Sequence, residues 1–339
     1  MTAAPTRIDA SDPAGSDPAA VLRACTVDGS QPGFMTDAVA EAYRTHGFLV
    51  VHNVLDAAGV QALRDEATAI CRGERGDYDG FQGPHDGQAD AEVLKQYLCI
   101  HFPHKISPLM RDMLAVPAVV ETLTGAIGPD VKCMQSMLFI KSAGKPGQAW
   151  HQDEDYIPTR DRSLCGGWIA LDDAHVGNGC LWVLPGSHRR GVLYPQHRQD
   201  DARFDCAEES GGFPYDEEDA VPVEVPAGAA VFFNGYLLHR SLPNTQTEGF
   251  RRVLVNHYMS ATSLLPWTST GPQHQTFLDH NRNVAKADSR DIVMIAGEDP
   301  YGWMGTEERF RPHVRADGDG GCGDGTKPGE AARAKASEG

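Results

Sequence analysis

The sequence has no Cys-x-x-Cys pair: its eight cysteines (Cys25, Cys71, Cys99, Cys133, Cys165, Cys180, Cys206 and Cys322) are scattered. That spacing argues against a thiolate zinc site or a disulfide framework and fits unpaired thiols in a reducing cytoplasm. Positive charge is also scarce. Lys and Arg total 30 against 47 Asp and Glu, a net charge of −17. Broad binding to nucleic acid or to an anionic membrane surface rewards the opposite balance. No apolar run approaches the length of a membrane span. No basic start followed by an apolar stretch marks a secretory leader. The expectation is a cytoplasmic protein that acts on a small molecule, with no nucleic-acid or membrane partner.

What is present is a large apolar fraction and many turn formers. Hydrophobic residues make up 41% of 339, with 36 Gly and 22 Pro, which suits a loop-rich β fold with a sizeable core. Residues 1–33, rich in Ala, Asp, Pro, Gly and Ser, read as a mobile arm with one short helix near Ala19–Ala24. Thr36 and Asp56 are helix N-caps ahead of apolar stripes at helical spacing, with Phe48–Val54 a strand between them. Gly76–Ala91 is a loop, and 95–101 is strand or helix. Ser107-Pro108 and Pro117 start two further helices, the second stopped by Gly128-Pro129. From Val131 the period becomes two: Val131, Cys133, Ser136, Leu138 and Ile140 mark a strand. Further strands are expected at 164–171, 179–184, 221–225, 229–233 and 252–259, around an acidic loop at about 197–220. The fold class expected is mainly β with flanking helices (α+β), a sandwich or barrel.

Within this pattern, Trp150-His151-Gln152-Asp153 follows an apolar strand. Two residues apart on extended chain, an imidazole and a carboxylate leave the same face. They can share one metal ion, and two histidines with one carboxylate form the face of a non-haem iron(II) site. His239, beside the strand at 229–233, is the candidate second histidine. Arg251, at the start of an apolar strand, could clamp a carboxylate in a bidentate fork. The chain has 14 histidines, so spacing alone leaves open a metal site or an incidental grouping.

The wording around these residues carries more. Trp150-His-Gln-Asp153, Gly177-Asn-Gly-Cys-Leu-Trp-Val-Leu-Pro-Gly-Ser-His188, and His239-Arg-Ser-Leu-Pro-Asn244 with Gly249-Phe-Arg251 resemble the phytanoyl-CoA dioxygenase family. Tyr43-Arg-Thr-His-Gly-Phe-Leu-Val-Val51 resembles that family's start, so the likeness spans about residues 36–262. The resemblance implies a double-stranded β-helix (jelly-roll, cupin-like) core. It also implies an iron(II)- and 2-oxoglutarate-dependent dioxygenase that uses O2 and releases succinate and CO2. His151, Asp153 and His239 would be the metal ligands. Arg251 and Ser241 would hold the distal carboxylate of 2-oxoglutarate, and Trp168 and Met137 would line its pocket. Lys105 and Gln135 match further ligand-facing positions, Lys105 only with a gap. The segment between His239 and Arg251 is one residue longer than in the best-known members, which makes Arg252 a rival. Asp153, where halogenating relatives carry a small residue, favours hydroxylation.

The domain organisation expected is an arm (1–33), one oxygenase domain (34–315) and a disordered tail (316–339). The domain comprises a helical part (34–128), a jelly-roll core (129–262) and a C-terminal segment (263–315). Tyr97, His101, His104, Asp155, Tyr156 and the 76–91 loop are candidates for contact with substrate, expected to be a small metabolite, a natural-product intermediate or an acyl compound. Two alternatives stay open: another metal-dependent jelly-roll enzyme, such as a zinc hydrolase or manganese cupin, and a non-catalytic ligand-binding jelly roll. The Arg251 clamp separates the oxygenase from the first, and the intact set of His151, Asp153, His239 and Arg251 argues against the second.

Overall fold

Side-chain caps start several helices of the N-terminal half. In the computed structural model, which describes residues 17–205, 208–264 and 290–315, the Thr36 hydroxyl accepts from the Val39 N–H at 3.4 Å. The Asp56 carboxylate accepts from the Gly59 N–H at 2.7 Å, and Ser107 accepts from Met110 at 3.1 Å. The helices are α1 (Pro18–Ala24), α2 (Asp37–His46), α3 (Ala57–Cys71), α4 (Asp90–Leu94), α5 (Pro108–Asp112), α6 (Pro117–Ala126) and α7 (Asp153–Tyr156). Strands β1 (Thr26–Asp28), β2 (Phe48–His52), β3 (Cys99–His101), β4 (Val131–Ser142) and β5 (Gln148–His151) come first. Next are β6 (Cys165–Ala170), β7 (Leu181–Val183), β8 (Gln196–Arg198), β9 (Glu208–Ser210) and β10 (Val221–Val223). Last come β11 (Ala230–Asn234), β12 (His239–Ser241), β13 (Phe250–Ser260), β14 (Val293–Ala296) and β15 (His313–Arg315).

The chain alternates between two facing sheets. β4, β6, β11 and β13 lie in the larger sheet, in the order β11-β6-β13-β4; β5, β7, β10 and β12 form the smaller one, in the order β10-β7-β12-β5. This is the jelly roll expected from the sequence. The larger sheet is extended by β2 and β1 at one edge and by β3 and β15 at the other, while β14 pairs with the start of β4. Leu138, Leu254, Ile169 and Ala230 lie side by side across the larger sheet. They share one buried cluster with Leu63, Ile70, Leu114 and Leu123 of the N-terminal half.

Several expectations need correction. Of the arm expected over 1–33, residues 17–33 belong to the fold. Val21 and Cys25 are buried, and β1 pairs in parallel with β2; residues 1–16 lie outside the described residues, as does the expected tail at 316–339. The acidic loop contains the β8–β9 pair. The C-terminal segment supplies two strands to the larger sheet. Too short to show a period, these pieces are fixed by edges already formed.

The apolar pattern of β4 changes parity between Cys133 and Ser136, and the pairing explains it. His257 faces Gln135 but Tyr258 faces Cys133, so residue 134 is a bulge. Beyond the bulge, Gln135, Met137, Phe139 and Lys141 share one face with their β13 partners His257, Val255, Val253 and Arg251. Gly166 and Trp168 continue that face on β6, and Phe233 and Val231 on β11. It faces the smaller sheet: Lys141 reaches Ser241, and the Phe233 ring lies 4.6 Å from that of His239. A Cβ on Gly166 would come within 2.4 Å of the Phe233 ring, so only glycine permits this packing.

Leu254 is fully buried at the centre of the larger sheet. Leu254→Ala is expected to destabilise the fold by about 2–5 kcal/mol, read as a lower urea midpoint.

Candidate metal centre

β5 and β12 are neighbours in the smaller sheet, and their register makes His151 and His239 direct Cα partners. Their rings lie 4.1 Å apart between centroids. Gln152 is extended (φ −128°, ψ 121°), so Asp153, the first residue of α7, returns to the face of His151. The Gln152 side chain anchors this turn, donating to Val192 O and Tyr236 O at 2.9 and 2.7 Å and accepting from Tyr194 N–H at 2.9 Å.

Both imidazoles are fixed in one tautomer. His151 Nδ1 lies 2.8 Å from Ala149 O, and His239 Nδ1 lies 2.9 Å from Leu237 O. A carbonyl only accepts, so each Nδ1 carries the proton and each Nε2 presents a lone pair. Those Nε2 atoms lie 3.7 and 3.6 Å from Asp153 Oδ1. Three acceptor atoms, all within 4.8 Å of one another and all on buried residues, thus converge with no proton between them. The arrangement lacks a positive charge at its centre, and a divalent metal ion fits it. Burial pulls His239 down to about 4, with the His151 ring adding to the effect, which favours the neutral ligand form. Burial alone would raise Asp153; the His239, His257 and His151 rings outweigh it and hold the carboxyl well below its ordinary range.

The neighbouring acids do not compete. Glu154 turns away to accept from the Thr159 N–H and hydroxyl at 2.6 and 2.5 Å. The other Asp153 oxygen, Oδ2, accepts from His257 Nε2 at 3.1 Å. His257 is absent from the sequence-based candidates. Its signal was the period of β13: it lies six residues after Arg251, on the same face.

The expected carboxylate clamp is at the other end of that face. Arg251 is 3% exposed, and among the described residues no carboxylate pairs with it. Its guanidinium lies over Trp168, 5.6 Å from the ring centroid, and its Nε has no hydrogen-bond partner. Burial pulls Arg251 down to about 10. The rival Arg252 is engaged: its N–H, Nε and Nη2 all donate to Asp172 at 2.8 Å. Ser241 lies two residues after His239 on β12, and Met137 and Trp168 both pair with Val255.

Lys105 is held elsewhere, donating to both Asp291 oxygens at 2.7 and 2.6 Å and to Phe310 O at 2.8 Å. With its three N–H groups taken, it is not a free carboxylate ligand. Gln135 lies opposite His257, with Nε2 3.5 Å from His101 Nδ1. His101 in turn stacks on His313 of β15 at 4.6 Å between centroids. Tyr97 is not at this mouth: its hydroxyl donates to Cys71 O at 2.8 Å and meets His85 Nε2 at 3.0 Å, tying the 76–91 loop to α3. Asn244 and Gly179 have the turn roles their residue types suggest. Asn244 Nδ2 donates to Lys141 O at 3.1 Å, and Gly179 takes φ +87°.

Residues 43–253 match the sequence model of the phytanoyl-CoA dioxygenase (PhyH) family. The phytanoyl-CoA dioxygenase of Arabidopsis thaliana is 35% identical over 153 residues, covering 44% of this chain and 52% of that protein, about half its length. The peroxisomal phytanoyl-CoA dioxygenase of Homo sapiens is 31% identical over 238 residues, 65% of this chain and 67% of that one. Among solved structures, the apo non-haem monooxygenase ThoJ superposes with a TM-score of 0.58 at 22% identity, covering 82% of this chain and 87% of that one. The carbocyclase SnoK from nogalamycin biosynthesis gives 0.54 at 20% identity, covering 77% and 96%. These two likenesses establish the fold.

His257→Phe removes the donor that fixes the Asp153 carboxylate. It is expected to weaken divalent-metal binding roughly 10–100-fold, measured by competition with a chromophoric chelator under anaerobic conditions.

Proposed function

Because the chain belongs to the phytanoyl-CoA dioxygenase family of iron(II)- and 2-oxoglutarate-dependent oxygenases, we propose that His151, Asp153 and His239 hold its iron and that it hydroxylates an unactivated C–H bond of a small molecule. The observation that carries this assignment is the meeting of three buried acceptor atoms with no proton among them. Bound iron, with 2-oxoglutarate and O2, supplies the oxidising chemistry and releases succinate and CO2. The protein's own residues position and enclose. Arg251 takes the distal carboxylate of 2-oxoglutarate, for which its unshared guanidinium suits it; Ser241 donates to the same group, and Trp168 and Met137 line the path. Gln135 faces the substrate side, next to His101.

The substrate is a small metabolite or natural-product intermediate; no basic patch in this acidic sequence offers itself to the phosphates of an acyl-CoA. Cys25, Cys71, Cys133, Cys165 and Cys180 are buried and form no disulfide, which supports a reducing compartment such as the cytoplasm. No helix among the described residues is long and apolar enough to cross a membrane.

Anaerobically purified protein given iron(II), 2-oxoglutarate and then O2 is expected to form succinate, and a metabolite screen for stimulated release would identify the substrate. Asp153→Ala should abolish succinate formation. Arg251→Ala should raise KM for 2-oxoglutarate roughly 10–100-fold with little change in iron affinity. Arg252→Ala should instead lower stability through loss of the Asp172 contacts. No succinate from the iron-loaded wild type under any substrate would reject the oxygenase; the KM effect at Arg252 would reject the Arg251 assignment.

A further inference from the structure

A second buried cation lies beside Arg251. Lys141 is its direct Cα partner on β4 and is 3% exposed. Its Nζ donates to Ser241 Oγ at 3.0 Å and to Leu242 O at 2.8 Å. Ser241 Oγ also accepts from the Gln148 N–H at 3.3 Å. An ammonium cannot accept a hydrogen bond, so both hydroxyl lone pairs are taken by donors and the hydroxyl's own proton is left to give. The pocket around the ammonium is close-fitting: a Cβ at Gly179 would lie 2.9 Å from Lys141 Nζ and 2.4 Å from Leu242 O.

We infer that Lys141 is a positioning residue for the distal carboxylate of 2-oxoglutarate: it turns the Ser241 hydroxyl into a one-way donor aimed at that carboxylate and places a second positive charge beside Arg251. This rests on the oxygenase reading above. Burial and the neighbouring Arg251 both pull Lys141 well below its ordinary range. An arriving carboxylate offsets both effects and holds the amine in its charged form. The selectivity is therefore for a 2-oxo acid with a second carboxylate at its far end.

The test is calorimetric binding of 2-oxoglutarate and of 2-oxobutanoate, which lacks the distal carboxylate, to metal-loaded protein without O2. Lys141→Met is expected to weaken 2-oxoglutarate binding roughly 10–100-fold and to leave 2-oxobutanoate binding within about twofold. In a Ser241→Ala background the same substitution should cost much less, because its action passes through that hydroxyl. Lys141→Gln, which keeps a donor to Ser241 but no charge, gives the same selective loss in smaller measure if the methionine variant fails to fold. Equal affinity of wild type and variants for 2-oxoglutarate, or equal loss of both acids, overturns the inference while leaving the oxygenase reading in place. A metal-loaded wild type that binds neither acid overturns both.

Discussion

Everything at this centre depends on two short hydrogen bonds that hold protons away from it. His151 and His239 each give Nδ1–H to the carbonyl two residues upstream, Ala149 O and Leu237 O. Each bond is local, made to a carbonyl two residues away in the chain. Pairing of β5 with β12 then sets the two lone pairs side by side, and the turn at Gln152 adds the carboxylate. Without a cation, three buried acceptors in contact repel one another. The sheet enforces this arrangement, and its cost is offset by ion binding, which stabilises the folded chain in turn.

The same inner face carries the opposite charge at its far end. Arg251 and Lys141 lie across from one another where β13 and β4 pair, and both are pulled down by burial. An acidic molecule that reaches from the metal to these cations satisfies both ends at once. The architecture separates the tasks by level along the strands. His257 and Gln135 form the level that touches Asp153; Trp168, Val255 and Met137 form the next, and Arg251 and Lys141 the last. These levels share one face because the register from Gln135 to Ser142 against Phe250 to His257 is unbroken; the bulge at residue 134 lies just past their end.

How much of this was legible in the sequence follows from the range of each interaction. Helix caps at Thr36, Asp56 and Ser107 are local and were readable. So were the long strands, whose period is carried by many residues, and the meeting of His151, Asp153 and His239 as a candidate metal site, whose flanking words are distinctive. Arg251 could not be separated from Arg252 by spacing; Asp172, some 80 residues away in the chain, occupies Arg252 and so favours Arg251. Lys105 failed for a matching reason: its partner Asp291 lies 186 positions later. His257 and Lys141 were missed because a polar residue inside an apolar strand looks like an interruption until its neighbours across the sheet are known.

The C-terminal segment builds onto the edge of the larger sheet. β15 adds to β3 at the edge of the larger sheet and brings His313 against His101. Phe310 stacks on Phe102 at 5.5 Å between centroids, and Asp291 fixes Lys105 beneath them. None of these residues touches the metal triad. Asp291, Phe310 and His313 belong to chain that follows the matched family segment at 43–253, whereas His101, Phe102 and Lys105 lie within it. The two sheets meet at the triad instead: β5 and β12 of the smaller sheet present His151 and His239, while β13 of the larger sheet brings His257 against Asp153.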